Sequence, residues 1–186
     1  MNGMKPVQLA HADLWLSDHY LRLGLENVLA TMTFDSPSLR YVFFTEQYYA
    51  DVLAHRYDLS QHRLILLTEG YLYNFLTDIP LHRLSARSTV SEVEAFMAAI
   101  TYAKGKEKGA EKRVRFTARE RLLIELIKDG KKMAEMGTYF NVHTKTIYQI
   151  RQTVIRKMGC SGMIDFLRTL RSDVFSTWLV ESHRVH

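Results

Sequence analysis

Gln149 and Gln152 lie three residues apart in the run TKTIYQIRQTVIRK (144–157), with Tyr148 beside the first. A primary amide carries both donors and an acceptor. A glutamine on an exposed helix face can therefore pair with two edge atoms of an adenine in one bidentate contact. Tyr148 adds an aromatic edge that suits a thymine methyl and a hydroxyl that can reach a phosphate. Around these three stand Lys132, Thr144, Lys145, Arg151 and Arg156. These are donors of the kind that fix a protein on a phosphate backbone without reading its sequence. The candidate ligand is double-stranded DNA, with base edges for the first group and phosphates for the second.

Other chemistries find little support. No Ser/His/Asp or Cys/His arrangement stands out, no glycine-rich phosphate loop occurs, and the eight histidines are scattered. Lone histidines such as His55 and His62 read as surface or satisfied core residues rather than ligands. The single cysteine, Cys160, has no metal-ligand neighbours and cannot form an internal disulfide, which fits a reducing compartment and a buried structural thiol. No catalytic residue, cofactor or metal is expected, and the chain reads as a non-enzyme.

The elements that must position these residues are short helices with their punctuation in place. Thr117 with Glu120 three residues on forms a capping box, and Leu122, Leu123, Leu126 and Ile127 recur at helical spacing until Asp129-Gly130 ends the run. A second helix over about 132–140 shows Met133, Met136 and Phe140 to a core. Asn141-Val142-His143 makes a tight turn, and a third helix starts near Thr144. Its apolar stripe is Ile147, Ile150, Val154, Ile155 and Met158. Two helices joined by a three-residue turn, the second long, basic and amide-rich, form the pattern of a helix-turn-helix.

At these residues the chain resembles the LuxR-type helix-turn-helix domain found in the FixJ and NarL response regulators. Thr117, Arg119 and Glu120 match the family's opening, Gly130 its glycine after helix one, and Glu135 its acidic residue in helix two. Thr146-Ile147 and Lys157-Met158-Gly159 match its later motifs without a gap. Gly137 stands in place of the usual alanine, His143 in place of the serine cap, and Ile150 in place of a histidine. The resemblance places Tyr148, Gln149 and Gln152 at the base-reading positions, with tyrosine where lysine is common. It implies an all-α, four-helix DNA-binding domain with an operator unlike that of typical relatives.

Charge divides the same way. From Lys104 onward there are 18 Lys+Arg against 9 Asp+Glu, a balance of +9; residues 1–103 hold 7 against 11, a balance of −4; together they give +5. The segregation marks the C-terminal part as the nucleic-acid face. With 47% hydrophobic and 24% charged residues the chain can bury a core. No apolar run reaches the roughly 18 residues a membrane span needs, and no signal-peptide pattern occurs. A cytoplasmic location without membrane contact is expected.

The first 102 residues read as alternating strands and helices. Strands are expected over 13–17, 40–45, 63–68 and 81–86. Helices are expected over 18–32, 48–57 and 90–102, with a short helical or turn-like 71–77, and residues 1–12 offer little to read. This predicts a flavodoxin-like α/β domain with a parallel sheet. Asp18-His19, Gly24-Leu25 and the strand-end Thr68 resemble the receiver domain of response regulators. The chemistry is incomplete: the acidic pair is Ser17-Asp18, the acceptor position is Thr45, and the lysine region is Ser85-Ala86-Arg87. Phosphoryl transfer to aspartate needs carboxylates for Mg²⁺ and for the acceptor. The domain also reads as one strand–helix unit short, hence a pseudo-receiver with no phosphoacceptor. Glu46 reads as a solvated strand-end residue rather than an imitation of a phosphorylated acceptor.

Residues 103–115 (AKGKEKGAEKRVR) read as a basic linker to a third segment, 116–186. Beyond helix four, Phe166, Leu167, Leu170, Val174, Trp178 and Leu179 keep helical spacing to Val180. That is expected as one helical extension, packed on its own domain or, favoured slightly, on a dimer partner. The expected protein is a phosphorylation-independent transcription regulator, a homodimer or a heterodimer with another LuxR-type regulator. By resemblance it belongs with orphan regulators of bacterial surface structures such as fimbriae and capsule. The alternative is an interaction module that sequesters a related regulator without specific DNA binding.

Overall fold

The computed structural model describes residues 5–36, 38–71, 73–77, 79–102 and 113–181. The backbone divides into two compact units, Met1–Leu72 with Ile79–Ala110, and Tyr73–Asp78 with Glu111–His186. Most of the expected linker, 103–112, lies outside the described residues.

The first unit is built on a five-stranded sheet in the order β1 (Val7–Gln8), β2 (Ala12–Trp15), β3 (Arg40–Thr45), β4 (His62–Thr68) and β5 (Leu81–Ser85). β2 to β5 are parallel, with Leu14 beside Phe43, Phe43 beside Ile65 and Leu67 beside Leu84. β1 is antiparallel to β2 and corrects the expectation of a wholly parallel sheet. Its two residues are exposed and carry no periodic signal. RYVFFT and HRLILLT are near-continuous apolar runs because both faces of their strands are covered.

Alternation decides which side chain serves which face. On one face Ala12, Leu14, Tyr41, Phe43, Ile65 and Leu67 meet α1 (His19–Thr31), through Leu25 and Leu29, and α3 (Val90–Tyr102), through Val93, Met97 and Ile100. On the other, Trp15 packs on Tyr48 and His55, which flank and end α2 (Tyr49–His55). Asp13, also on that face, is buried and paired with Arg40 at 2.8 Å. It accepts a further bond from the Tyr57 hydroxyl, which accepts from Trp15 Nε1. Burial and the Asp13 carboxylate hold the Tyr57 phenol protonated far above its usual range.

The crossovers β2–α1–β3 and β3–α2–β4 step the same way across the sheet, yet α1 and α2 lie on opposite faces. They therefore have opposite hands, although right-handed connections are the strong rule. Dropping strand two from the doubly wound order 2-1-3-4-5 leaves this arrangement. The missing strand–helix unit was legible in the sequence; the hand of the crossover was not. No helix joins β4 to β5 among the described residues.

The second unit holds α4 (Ala118–Lys128), α5 (Met133–Phe140), α6 (Thr144–Lys157), α7 (Met163–Arg171) and α8 (Asp173–Glu181). α7 and α8 replace the single C-terminal rod expected beyond helix four. Ser172 turns extended between them (φ −74°, ψ 143°). Its hydroxyl donates to the Thr169 carbonyl and accepts from the Phe175 N–H. Ser172-Asp173 is an N-cap signal that the apolar spacing overrode. The apolar surface read as a dimer contact is covered within the unit: Val174, Phe175 and Trp178 are all buried.

Their cover comes from residues 73–77, which lie between β4 and β5 in sequence. Phe75 is 0% exposed and packs edge-on against Phe175 at 5.4 Å and Trp178 at 4.9 Å. The Asn74 amide donates to the Gly159 carbonyl at 3.0 Å. Gly159 has φ +64°, and a Cβ there would lie 2.6 Å from that of Asn74, so glycine is required twice over. Tyr73, also buried, takes a left-handed conformation (φ 43°) to make the entry.

Phe75→Ala should cost the second unit about 3–5 kcal/mol. The check is denaturant unfolding followed by Trp178 fluorescence in a Trp15→Phe background, which leaves one indole. An unchanged midpoint relative to Trp15→Phe alone would contradict this packing.

Candidate nucleic-acid interface

The candidate interface is α6, and its orientation is set from the N-terminal side. Thr117 caps α4, its hydroxyl accepting from the Glu120 N–H while the Glu120 carboxylate accepts from the Thr117 N–H at 2.8 Å. The Glu120 carboxylate also binds Lys157 Nζ, at the last residue of α6, at 2.7 Å. Lys157 reaches the Arg115 carbonyl as well. One carboxylate thus closes the start of α4 and the end of α6 together.

The other end of α6 is set by the turn from α5. Asn141 adopts the left-handed conformation (φ 51°) and ends α5. The Val142 N–H returns to the Gly137 carbonyl at 2.9 Å. A Cβ on Gly137 would stand 3.0 Å from the Val142 carbonyl oxygen, so the glycine admits a tighter turn than alanine would. His143 occupies the N-cap without a side-chain cap bond, as its type implies. Leu123, Met136 and Ile147 form the core joining the three helices, with Phe140, Val142 and Ile150 packed on it.

With Ile147, Val154 and Ile155 buried, the opposite face of α6 is turned outward. Lys145, Tyr148, Gln149, Gln152 and Arg156 are exposed and follow one another at steps of three, one, three and four along that face. Tyr148 is 46% exposed. Neither glutamine amide is hydrogen-bonded to another described side chain, so both are free for an outside partner. Thr144 is exposed on the first turn, and Lys132 is exposed at the entry to α5. Thr153 and Arg156 bond along the helix.

Arg151 differs from the rest of the expected phosphate set. It is half-buried, its guanidinium stacks over the Tyr148 ring at 4.6 Å, and Nη1 points to the Met133 sulfur at 3.6 Å. Sequence reading names Arg119 but not its contact, in which the guanidinium lies over the Phe140 ring at 5.4 Å. The contacts to Met133 and Phe140 have no periodic signature, since each depends on where another helix passes; Arg151 and Tyr148 are three apart on α6, a spacing that could have signalled their stacking. Cys160 is half-buried with its thiol pushed up by burial, and it lies near the Thr169 hydroxyl.

In open α/β sheets ligands bind outside the carboxyl ends of the strands. Here those ends carry Ser17, Thr45, Thr68 and Ser85. Asp18 is engaged as the cap of α1, one oxygen accepting from the Tyr20 and Leu21 N–H groups. Ser17 is bonded to the Gln47 side chain. No three His, Cys, Asp or Glu side chains among the described residues are grouped to hold a metal ion. No helix of the described residues is long and apolar enough to cross a membrane.

No protein-family model and no curated protein matches the sequence. Among solved structures the chain is similar to the two-component response regulator RcsB in its DNA complex. The TM-score is 0.59 at 13% identity, covering 92% of this chain and 98% of that one. RcsB from Salmonella enterica serovar Typhimurium bound to promoter rprA aligns with TM-score 0.47 and 14% identity over 84% and 99% of the two chains. Full-length FixJ from B. japonicum aligns with TM-score 0.33 and 16% identity over 87% and 96%. The likeness is one of fold, a response-regulator architecture over most of the chain, and rests on the first of these.

Burial tends to raise the Glu120 pKa, but the Lys157 ammonium and the Thr117 N–H outweigh it and hold the carboxyl below its usual range. A depressed folded pKa gives stability that is present above the ordinary glutamate value and lost as pH falls through the folded one. Glu120→Gln should cost about 2 kcal/mol at neutral pH and flatten the acid limb of the second unit's unfolding curve. Thermal melts from neutral to acid pH check both, and an unaltered acid limb would refute the assignment.

Proposed function

We propose that the chain is a sequence-specific DNA-binding transcription regulator of LuxR type, with α5 and α6 as its helix-turn-helix. The observation that carries the reading is the outward stripe on α6. Two unengaged glutamine amides and a tyrosine ring lie beside cations, over a buried aliphatic ridge. A helix of this kind fits the major groove, about 12 Å wide. Tyr148, Gln149 and Gln152 would meet base edges. Lys132, Thr144, Lys145 and Arg156 would meet phosphates. The similarity in fold to RcsB, solved as a DNA complex, supports the same reading.

The first unit acts as a pseudo-receiver on this proposal, and phosphorylation does not switch it. Support comes from the strand ends, where hydroxyls stand in place of an acceptor carboxylate and Asp18 is committed to capping α1. Regulation then comes from partners or from abundance. The exposed Ile164 on α7, 70% accessible, supports a contact between copies or with another LuxR-type regulator near helix four. Control of surface structures such as fimbriae, capsule or biofilm is the physiological role we assign, by resemblance to orphan regulators.

A gel shift on genomic fragments across a salt series tests the reading. Wild type should prefer some fragments, and Gln149→Ala or Gln152→Ala should cost about 1–3 kcal/mol at single base positions. Lys145→Ala should weaken all fragments alike and reduce the log–log salt slope by about 0.9. Binding without any preferred fragment would sink the proposal and favour a module that sequesters a related regulator.

A further inference from the structure

Arg151 stands in α6 one turn after Tyr148, and its surroundings differ from those of a phosphate-binding arginine. Its guanidinium lies over the tyrosine ring, 4.6 Å from the centroid, with Nη1 directed to the Met133 sulfur at the start of α5. Nε is buried and has no hydrogen-bond partner. The group is therefore clamped between an aromatic face and a thioether, with part of its donor set turned away from solvent. A guanidinium that is more weakly hydrated than an ammonium tolerates this, and its flat π-surface matches the ring. Lys145, Gln149, Gln152 and Arg156 on the exposed stripe are not covered in this way.

Tyr148 is affected in turn. An exposed tyrosine at mid-helix can swing its ring about χ1 and χ2. With one ring face occupied by Arg151, and Arg151 tied to α5, the ring is held in one orientation. The free ring face, edge and hydroxyl are then presented outward from α6, 46% exposed.

Resting on the reading of α6 as the DNA-contacting helix, we infer that Arg151 is a positioning residue for Tyr148 and not a phosphate contact. It fixes the ring so that the protein discriminates at the base pair Tyr148 faces. Removing it releases the ring and relaxes preference at that pair alone. A phosphate contact would do the opposite, weakening every sequence equally and lowering the salt slope.

The test uses the full chain. Arg151→Met keeps the packing stem and removes the cation, Arg151→Lys keeps a cation without the planar fork, and Tyr148→Leu removes the ring. Binding is measured on a library varied one base pair at a time, over a salt series. Arg151→Met should reduce discrimination at one base pair by about fivefold, with the salt slope unchanged. Arg151→Lys should restore part of the loss, and Arg151→Met should have no further effect in a Tyr148→Leu background.

A DNA-free readout accompanies these assays. Ring-current shifts of the Arg151 side-chain protons by NMR should be present in wild type and lost in Tyr148→Leu. Their absence from wild type overturns the pairing. A salt slope lower by about 0.9 in Arg151→Met with uniform weakening overturns the positioning role. Intact pairing in a protein with no preferred sequence overturns the reading of α6 itself, and the base-preference role with it. If Arg151→Met fails to fold, Arg151→Lys carries the test: unchanged discrimination although the substituted side chain shows no ring-current shift overturns the inference.

Discussion

Ile147, Val154 and Ile155 are buried along one side of α6, and a helix of 14 residues with that side committed has no freedom left in its rotation. At 3.6 residues per turn the amides and cations must come out on the opposite side. The remaining freedom, sliding along the axis, is removed at the two ends. Lys157 is fixed to Glu120, and the Val142 N–H is closed onto Gly137. Hydrophobic burial sets the rotation and two polar contacts set the position. Everything assigned to the exposed face follows from those three constraints.

The first unit carries its asymmetry differently. Its strands pair in register as a parallel sheet, but the connections on either side of β3 wind in opposite senses. The buried Asp13 carboxylate pairs with the half-buried Arg40 and accepts from Tyr57, whose hydroxyl accepts from Trp15, and these bonds tie together β2, the start of β3 and the chain just beyond α2. A buried carboxylate is costly to leave without its partner, so the contacts onto Asp13 resist being broken.

Legibility in the sequence followed periodicity. The strand RYVFFT and the helix at 90–102 are found at their expected ends, and the helix expected to start near Thr144 starts there, because each has a strong apolar pattern and a clear boundary such as Thr89 or Asn141. Exposure of Tyr148, Gln149 and Gln152 followed from the same pattern. What escaped had no period to read: the two-residue β1, the break at Ser172, and the contact of Arg151 with Met133 on α5. Residues 71–77 read locally as a short helical or turn-like connection between strands. The three aromatics in YLYNFL could have signalled that this connection has a core to reach, but not which one. Tertiary partners supply that answer, and no window of the sequence contains both halves.

The aromatic seat formed by Phe75, Phe175 and Trp178 has a bearing on ancestry and engineering. Regulators are commonly pictured as cassettes, with an output module exchanged by recombination at the intervening tether. Here a cut between residues 103 and 115 would separate the helical module from a piece of its own interior, encoded 28 to 40 residues upstream of that cut. Viable chimeras must inherit the β4–β5 connection together with the helices, so the two halves travel as one heritable block.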